Sequence, residues 1–183
     1  MHEEVFVVIA STLMFCRIAI ALAFVIAVIG KAQDITAFQE AIMDFQLLAP
    51  NWSKAVAWVL LGAETCDVLL VSIGGSLLLP GFLLAALLLL TFAVALVLVL
   101  LNKRRISCNC FGRSQRRISP YDVVRNVLLI ICSLGGVWTL VETQQIPPAI
   151  DSLLMGLIAA CFVILVTNIA DVVETLRHPF AGF

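Results

Sequence analysis

Five apolar runs, about Val5–Ile29, Trp52–Ile73, Leu77–Leu101, Tyr121–Val141 and Ser152–Ala170, decide what this chain can fold into. Each approaches the roughly 20 residues that a helix needs to cross the hydrocarbon core of a bilayer. In lipid, backbone polar groups must bond within their own segment unless a barrel closes. The runs are continuous and rich in Leu, Val and Ala rather than alternating, which argues against a barrel. With 62% hydrophobic and 13% charged residues and a mean hydropathy of +1.12, the chain has more apolar surface than a soluble core can hide. The expected fold is therefore an all-α membrane protein. It is a single integral membrane domain over residues 1–183, with about five transmembrane helices. Glu64 and Asp67 make the second run the least uniform. A signal peptide is not expected, because the N-terminus reads Met-His-Glu-Glu and no small-residue cleavage pattern follows the first run.

The charges outside the runs are lopsided. Lys31, Lys54, Lys103, Arg104, Arg105, Arg113, Arg116, Arg117 and Arg177 fall on one side of a five-span arrangement. His2, Glu3, Glu4, Glu142 and Asp151 fall on the other. The positive-inside rule places the N-terminus outside and the loop of residues 102–120 in the cytoplasm, in a plasma or inner membrane. The basic residues of that loop serve topology and lipid headgroup binding. Nucleic acid is a poor partner, because no aromatic-rich soluble surface accompanies the charges. Between the first two runs, Phe38, Ile42, Phe45 and Leu48 recur at near-helical spacing with Gln39, Glu40 and Asp44 between them. This predicts a short amphipathic helix at the interface, ended by Leu47-Leu48-Ala49-Pro50. It is either a simple re-entry elbow or a docking surface.

Ionisable residues within the runs need partners. Arg17 lies near the middle of the first, where a lone cation costs roughly 2.5–3.5 kcal/mol on insertion scales. Counting from the estimated span ends puts Arg17 and Glu64 both about 18 Å deep from the same side, so antiparallel neighbours would set them level. Asp67, one turn on, could share the charge. Such a pair either fixes helix register or forms a polar pocket for a ligand, a quinone headgroup or a proton path. Cys16, Cys66, Cys132 and Cys161 also lie within runs. Their ordinary reading is small apolar packing residues. Cys16, Cys66 and Cys132 are candidate secondary thiols, and a Cys16–Cys66 pair is one arrangement.

The chemistry concentrates in Lys103-Arg104-Arg105-Ile106-Ser107-Cys108-Asn109-Cys110-Phe111-Gly112-Arg113. A Cys-x-Cys bridge closes a very small ring, and strained bridges are the more oxidising ones. Asn109 tolerates unusual backbone angles, Gly112 relaxes the following turn, and the neighbouring cations favour thiolate over thiol. Cys108 and Cys110 are thus candidates for a catalytic dithiol. A structural zinc site needs four ligands, and no nearby His or further Cys completes one. Inert or lipid-modified cysteines remain the alternative.

Taken in order, Arg17, Gly30-Lys31, Phe38, Leu47-Leu48-Ala49-Pro50, Glu64, Cys108-Asn109-Cys110-Phe111-Gly112 and Arg125-Asn126 resemble the MauE-like, DoxX-related membrane family from about Leu13 to Leu140. The resemblance implies a redox-associated membrane protein that supports disulfide formation or thiol transfer, often beside a thioredoxin-like protein. It implies that Cys108 and Cys110 are the dithiol and that Glu64 is the family's membrane glutamate. Asn109 stands where the family often has glycine, which alters the strain of the bridge. Glu64, Arg17, Asn109, Phe111, Gly112 and Arg125 are the supporting residues. The leading expectation is a thiol–disulfide oxidoreductase or electron relay, with no certain cofactor but a quinone as a candidate acceptor. The runner-up is a non-enzymatic assembly protein that docks a partner through the basic loop. A small transporter ranks third, because no internal repeat is visible. A cytoplasmic dithiol suits an electron relay across the membrane, whereas maturation of exported clients wants it outside.

Overall fold

The computed structural model describes residues 2–44, 50–101, 120–143 and 152–169. Its helices are α1 (His2–Gln33), α2 (Ile35–Asp44), α3 (Pro50–Ile73), α4 (Leu78–Leu101), α5 (Pro120–Thr143) and α6 (Ser152–Thr167). Cys108, Asn109, Cys110, Phe111 and Gly112 lie outside the described residues, as do Phe45 and Leu48. Helices α1, α3, α4 and α5 are long and apolar enough to cross a membrane, while α6 is apolar but shorter. The chain is an all-helical, multi-pass membrane protein.

The helix ends follow local chemistry. Pro50 and Pro120 open α3 and α5, where a missing N–H costs nothing and φ is already set for a helix. Asp34 caps α2: its carboxylate accepts the Ala37 N–H at 3.0 Å and the Thr36 hydroxyl at 2.7 Å. These two donors, the Ala37 amide first, hold the Asp34 carboxyl below the usual carboxylate range. Gly74 and Gly75, with φ of 80° and 64°, end α3 and turn the chain into α4 through a short 3-10 turn at Gly75–Leu77.

Helix α1 touches α3 and α5, and α4 touches the same two, so these four close a ring. Helix α6 packs on the outside of α1, and α2 lies along α3. The apolar face of α2 is spent within the molecule, with Phe38 and Ile42 buried against Ala57. Small residues let the ring close tightly. A Cβ at Gly136 would stand 2.6 Å from the Phe82 ring, and one at Gly81 would stand 2.9 Å from Val71. The Ser133 hydroxyl donates to the Phe82 carbonyl at 2.6 Å and ties α5 to α4. Leu13, Ile20, Phe24, Leu78, Phe82 and Leu129 fill the centre, while Leu87, Leu90, Ile131 and Leu157 point outward.

Because successive helices run in opposite directions, the C-terminus of α1, all of α2, the C-terminus of α4 and the N-terminus of α5 share one end of the bundle. The α3–α4 turn lies at the other end.

Candidate functional site

A cluster of ionisable side chains is buried within the ring. Lys31 and Glu64, each 1% exposed, form an ion pair in which the Lys31 ammonium donates to Glu64 Oε1. The ammonium also lies 4.3 Å from the Phe92 ring centre and 5.1 Å from that of Phe38, within cation–π range. Thus α1 supplies the cation, α3 the carboxylate, and α4 and α2 the aromatic walls. One turn along α3, Asp67 is 0% exposed, and neither of its oxygens has a hydrogen-bond partner among the described residues. Glu64 Oε2 likewise has none. From α5 come Arg125, 3.7 Å from Asp122, and the fully buried Asn126. Arg125 is close enough to act electrostatically on Lys31.

Beside Glu64 is a cavity of about 10 Å³, walled by Phe24, Ala27, Phe92 and Asn126 among others. It has room for about one water. Among the described residues, the cavity beside Glu64 is too small for an organic headgroup. Among the described residues no group of three His, Cys, Asp or Glu side chains could hold a metal.

The expected Arg17–Glu64 pair does not form. Arg17 donates from Nε to the Val71 carbonyl at 2.9 Å and from Nη2 to the Ser72 carbonyl at 2.7 Å. These oxygens belong to the last turn of α3, where helix geometry leaves carbonyls without intrahelical donors and the dipole favours a cation. Helix α1 runs to Gln33 rather than stopping near Ile29, so Lys31 is a helix residue whose four-carbon stem reaches Glu64. Lys31 is thus a buried helix residue rather than a loop cation; Gly30 is a helix-stop signal in the sequence, but α1 continues through it. Asp67 does lie beside Glu64, as the sequence suggested, but Arg17 is not shared with it.

The thiols are rearranged too. Cys66 and Cys161 are exposed, so Cys66 does not pair with Cys16. Cys16 and Cys132 are both buried in the same core cluster, where α1 packs on α5. A helical period explains this, since Cys66 and Glu64 are two residues apart and cannot share one face of α3. Of the supporting residues, Glu64 and Arg125 belong to the buried cluster, and Arg17 sits at the opposite end of α3.

No solved structure matches the chain. A curated relative, methylamine utilization protein MauE of Paracoccus denitrificans, is 34% identical over 124 residues, or 65% of this chain. The match spans 64% of that relative's length. The family described as methylamine utilisation protein MauE matches residues 8–139, from α1 through most of α5, and this chain belongs to that family.

Proposed function

We propose that this chain is a membrane thiol–disulfide redox protein whose exchanging pair is Cys108 and Cys110. The observation that carries the proposal is the placement of the cluster around Glu64. Helices α4 and α5, which bracket residues 102–119, contribute Phe92, Arg125 and Asn126 to the cluster's surroundings. The two thiols are thus tethered at both ends to helices that converge on buried carboxyls. Thiol–disulfide exchange proceeds by thiolate attack, so it needs protons taken up and released nearby. In the reaction one disulfide opens to two thiols while a partner's two thiols close to a disulfide, with two electrons and two protons moving between the pairs. Glu64 is proposed to shuttle the proton, positioned by Lys31.

The partner is proposed to be a thioredoxin-like or client thiol protein. The loop is proposed to be cytoplasmic, following the positive-inside rule. The Paracoccus relative's name ties that protein to methylamine utilization; the same setting for this chain is part of the proposal. A docking role through α2 loses support, because Phe38 and Ile42 are already buried against α3.

The test is differential alkylation of the purified protein across a series of glutathione redox buffers, repeated with Cys108→Ser and Cys110→Ser. The expected outcome is reversible loss of two alkylation sites, Cys108 and Cys110, and loss of thiol exchange in either variant. Two thiols that stay reduced throughout the series, with exchange activity intact in both variants, would exclude this function. A Glu64→Gln protein that folds but exchanges thiols slowly would support the proton role.

A further inference from the structure

Cys16 and Cys132, buried in one core cluster, are not used by the function proposed above. Both residues sit near the midpoints of their helices, within the apolar spans Val7–Gln33 and Pro120–Glu142. Both are buried, so a soluble reductant or a thioredoxin-like protein cannot reach them. Any oxidant that meets them must arrive through lipid. A route exists. A groove of about 800 Å³ runs between α1 and α5, lined by Val8, Thr12, Ile131, Gly135, Trp138 and Glu142 among others. Its volume is in the range of small-molecule sites, roughly 300–1,000 Å³. The thiols lie one turn from its lining: Thr12 is one turn before Cys16, and Gly135 is one turn after Cys132. At Gly135 the Cβ position is empty and only 3.8 Å from Cys16 Sγ. The glycine therefore leaves a window between the groove and the sulfur. Among the described residues Val8, Ile131 and Trp138 are exposed, which leaves the groove open on its lipid-facing side.

We infer that Cys16 and Cys132 are a second redox pair, closed to an interhelical disulfide by a lipid-soluble quinone that binds in the α1–α5 groove. The two S–H bonds break and one S–S bond forms; the quinone takes up the two electrons and two protons and leaves as the hydroquinone. The disulfide, about 2.05 Å long, would link α1 to α5. The inference extends the thiol–disulfide reading but does not require Cys108 or Cys110.

The experiment therefore uses the full chain carrying Cys108→Ser and Cys110→Ser, reduced and placed in lipid nanodiscs with or without decylubiquinone, whose fully substituted ring cannot add thiols. The denatured protein is then alkylated and mapped by mass spectrometry, and quinone absorbance is followed. The expected result is loss of alkylation at Cys16 and Cys132 only where quinone is present, with one hydroquinone formed per disulfide. Gly135→Leu, which closes the window, and Val8→Trp, which narrows the groove from an exposed position, should each slow oxidation by about tenfold or more, because a reacting contact is sensitive to shifts on the order of 1 Å. Thermal unfolding checks that each variant is folded, and Val8→Trp carries the test if Gly135→Leu is not. Thiols that remain fully alkylatable with quinone, or oxidise equally fast without it, overturn the inference. So does an unchanged rate in the folded groove variants, which would leave the groove to acyl chains.

Discussion

Lys31 and Glu64 show what one buried charge demands of its neighbour. Removing one partner of such a pair leaves the other uncompensated and costs roughly 3–5 kcal/mol. Glu64→Gln and Lys31→Met are each expected to lower unfolding free energy in detergent by that order. The double variant should recover most of it, and a double-mutant cycle measures the coupling. Purely additive losses would mean that the ion pair contributes nothing. Arg17→Gln should destabilise too, but its loss should add to that of Glu64→Gln within about 0.5 kcal/mol, since the two side chains share no partner. Gly74 offers a second residue-level comparison. At φ of 80° and ψ of −153°, a region essentially confined to glycine, a side chain costs roughly 1–3 kcal/mol, and its Cβ would meet Arg17 Nη2 at 2.7 Å. Gly75 has φ of 64° but open space around it. Gly74→Ala is therefore expected to lower the Tm more than Gly75→Ala; equal losses would show that Arg17 yields freely. The sequence marked Arg17 and Glu64 as residues needing partners, because charge in an apolar run is visible at once. It did not reveal which partners. Counting residues from a span end locates Cα atoms, whereas Lys31 and Arg17 act at the tips of long side chains.

Among the elements, the helices were legible and their pairing was not. Long apolar runs name membrane helices by length alone, and the spacing of Phe38 and Ile42 marked α2. The inner and outer faces of a membrane helix are both apolar, so hydrophobicity does not select the packed side. Here the selection is made by small residues, Gly81 and Gly136 facing Val71 and Phe82, whose meaning emerges only once the neighbour is known. The same limit hid that Cys16 and Cys132 share one core cluster. Element α2 also has a titratable end. The Asp34 carboxyl is held below its ordinary value, so the cap's contribution is complete above the unfolded carboxylate pKa of about 3.9 and is lost as pH falls through the lower folded value. Asp34→Asn keeps an acceptor and should abolish that acid dependence while preserving α2. Asp34→Ala should loosen α2 at neutral pH as well. Amide hydrogen exchange at Ala37 and Phe38 reads both; protection unchanged in Asp34→Ala would show that α2 is held by its buried face alone.

For the whole molecule, sidedness decides which compartment supplies the thiol partner. A membrane-impermeant maleimide applied to intact cells is expected to leave Cys108 and Cys110 unlabelled, while labelling after permeabilisation reaches them. Labelling from outside would invert the arrangement and place the exchange in an oxidising compartment. The overall class was legible from composition, since no other fold accommodates such runs. The thiol motif was legible as sequence, while the cluster around Glu64 required the ring of four helices to bring α1, α3, α4 and α5 together. That ring also bears on synthesis. Helix α1 leaves the ribosome first, yet among the described residues the hydrogen-bond acceptors of Arg17 and Lys31 are all on α3. A central cation without a partner costs roughly 2.5–3.5 kcal/mol on insertion scales. The first helix is therefore a reluctant resident of the bilayer until the chain has been translated past Ser72. A nascent chain stopped before that point should linger at the translocon and be open to quality-control proteases, which makes the α3 terminus a checkpoint for biogenesis.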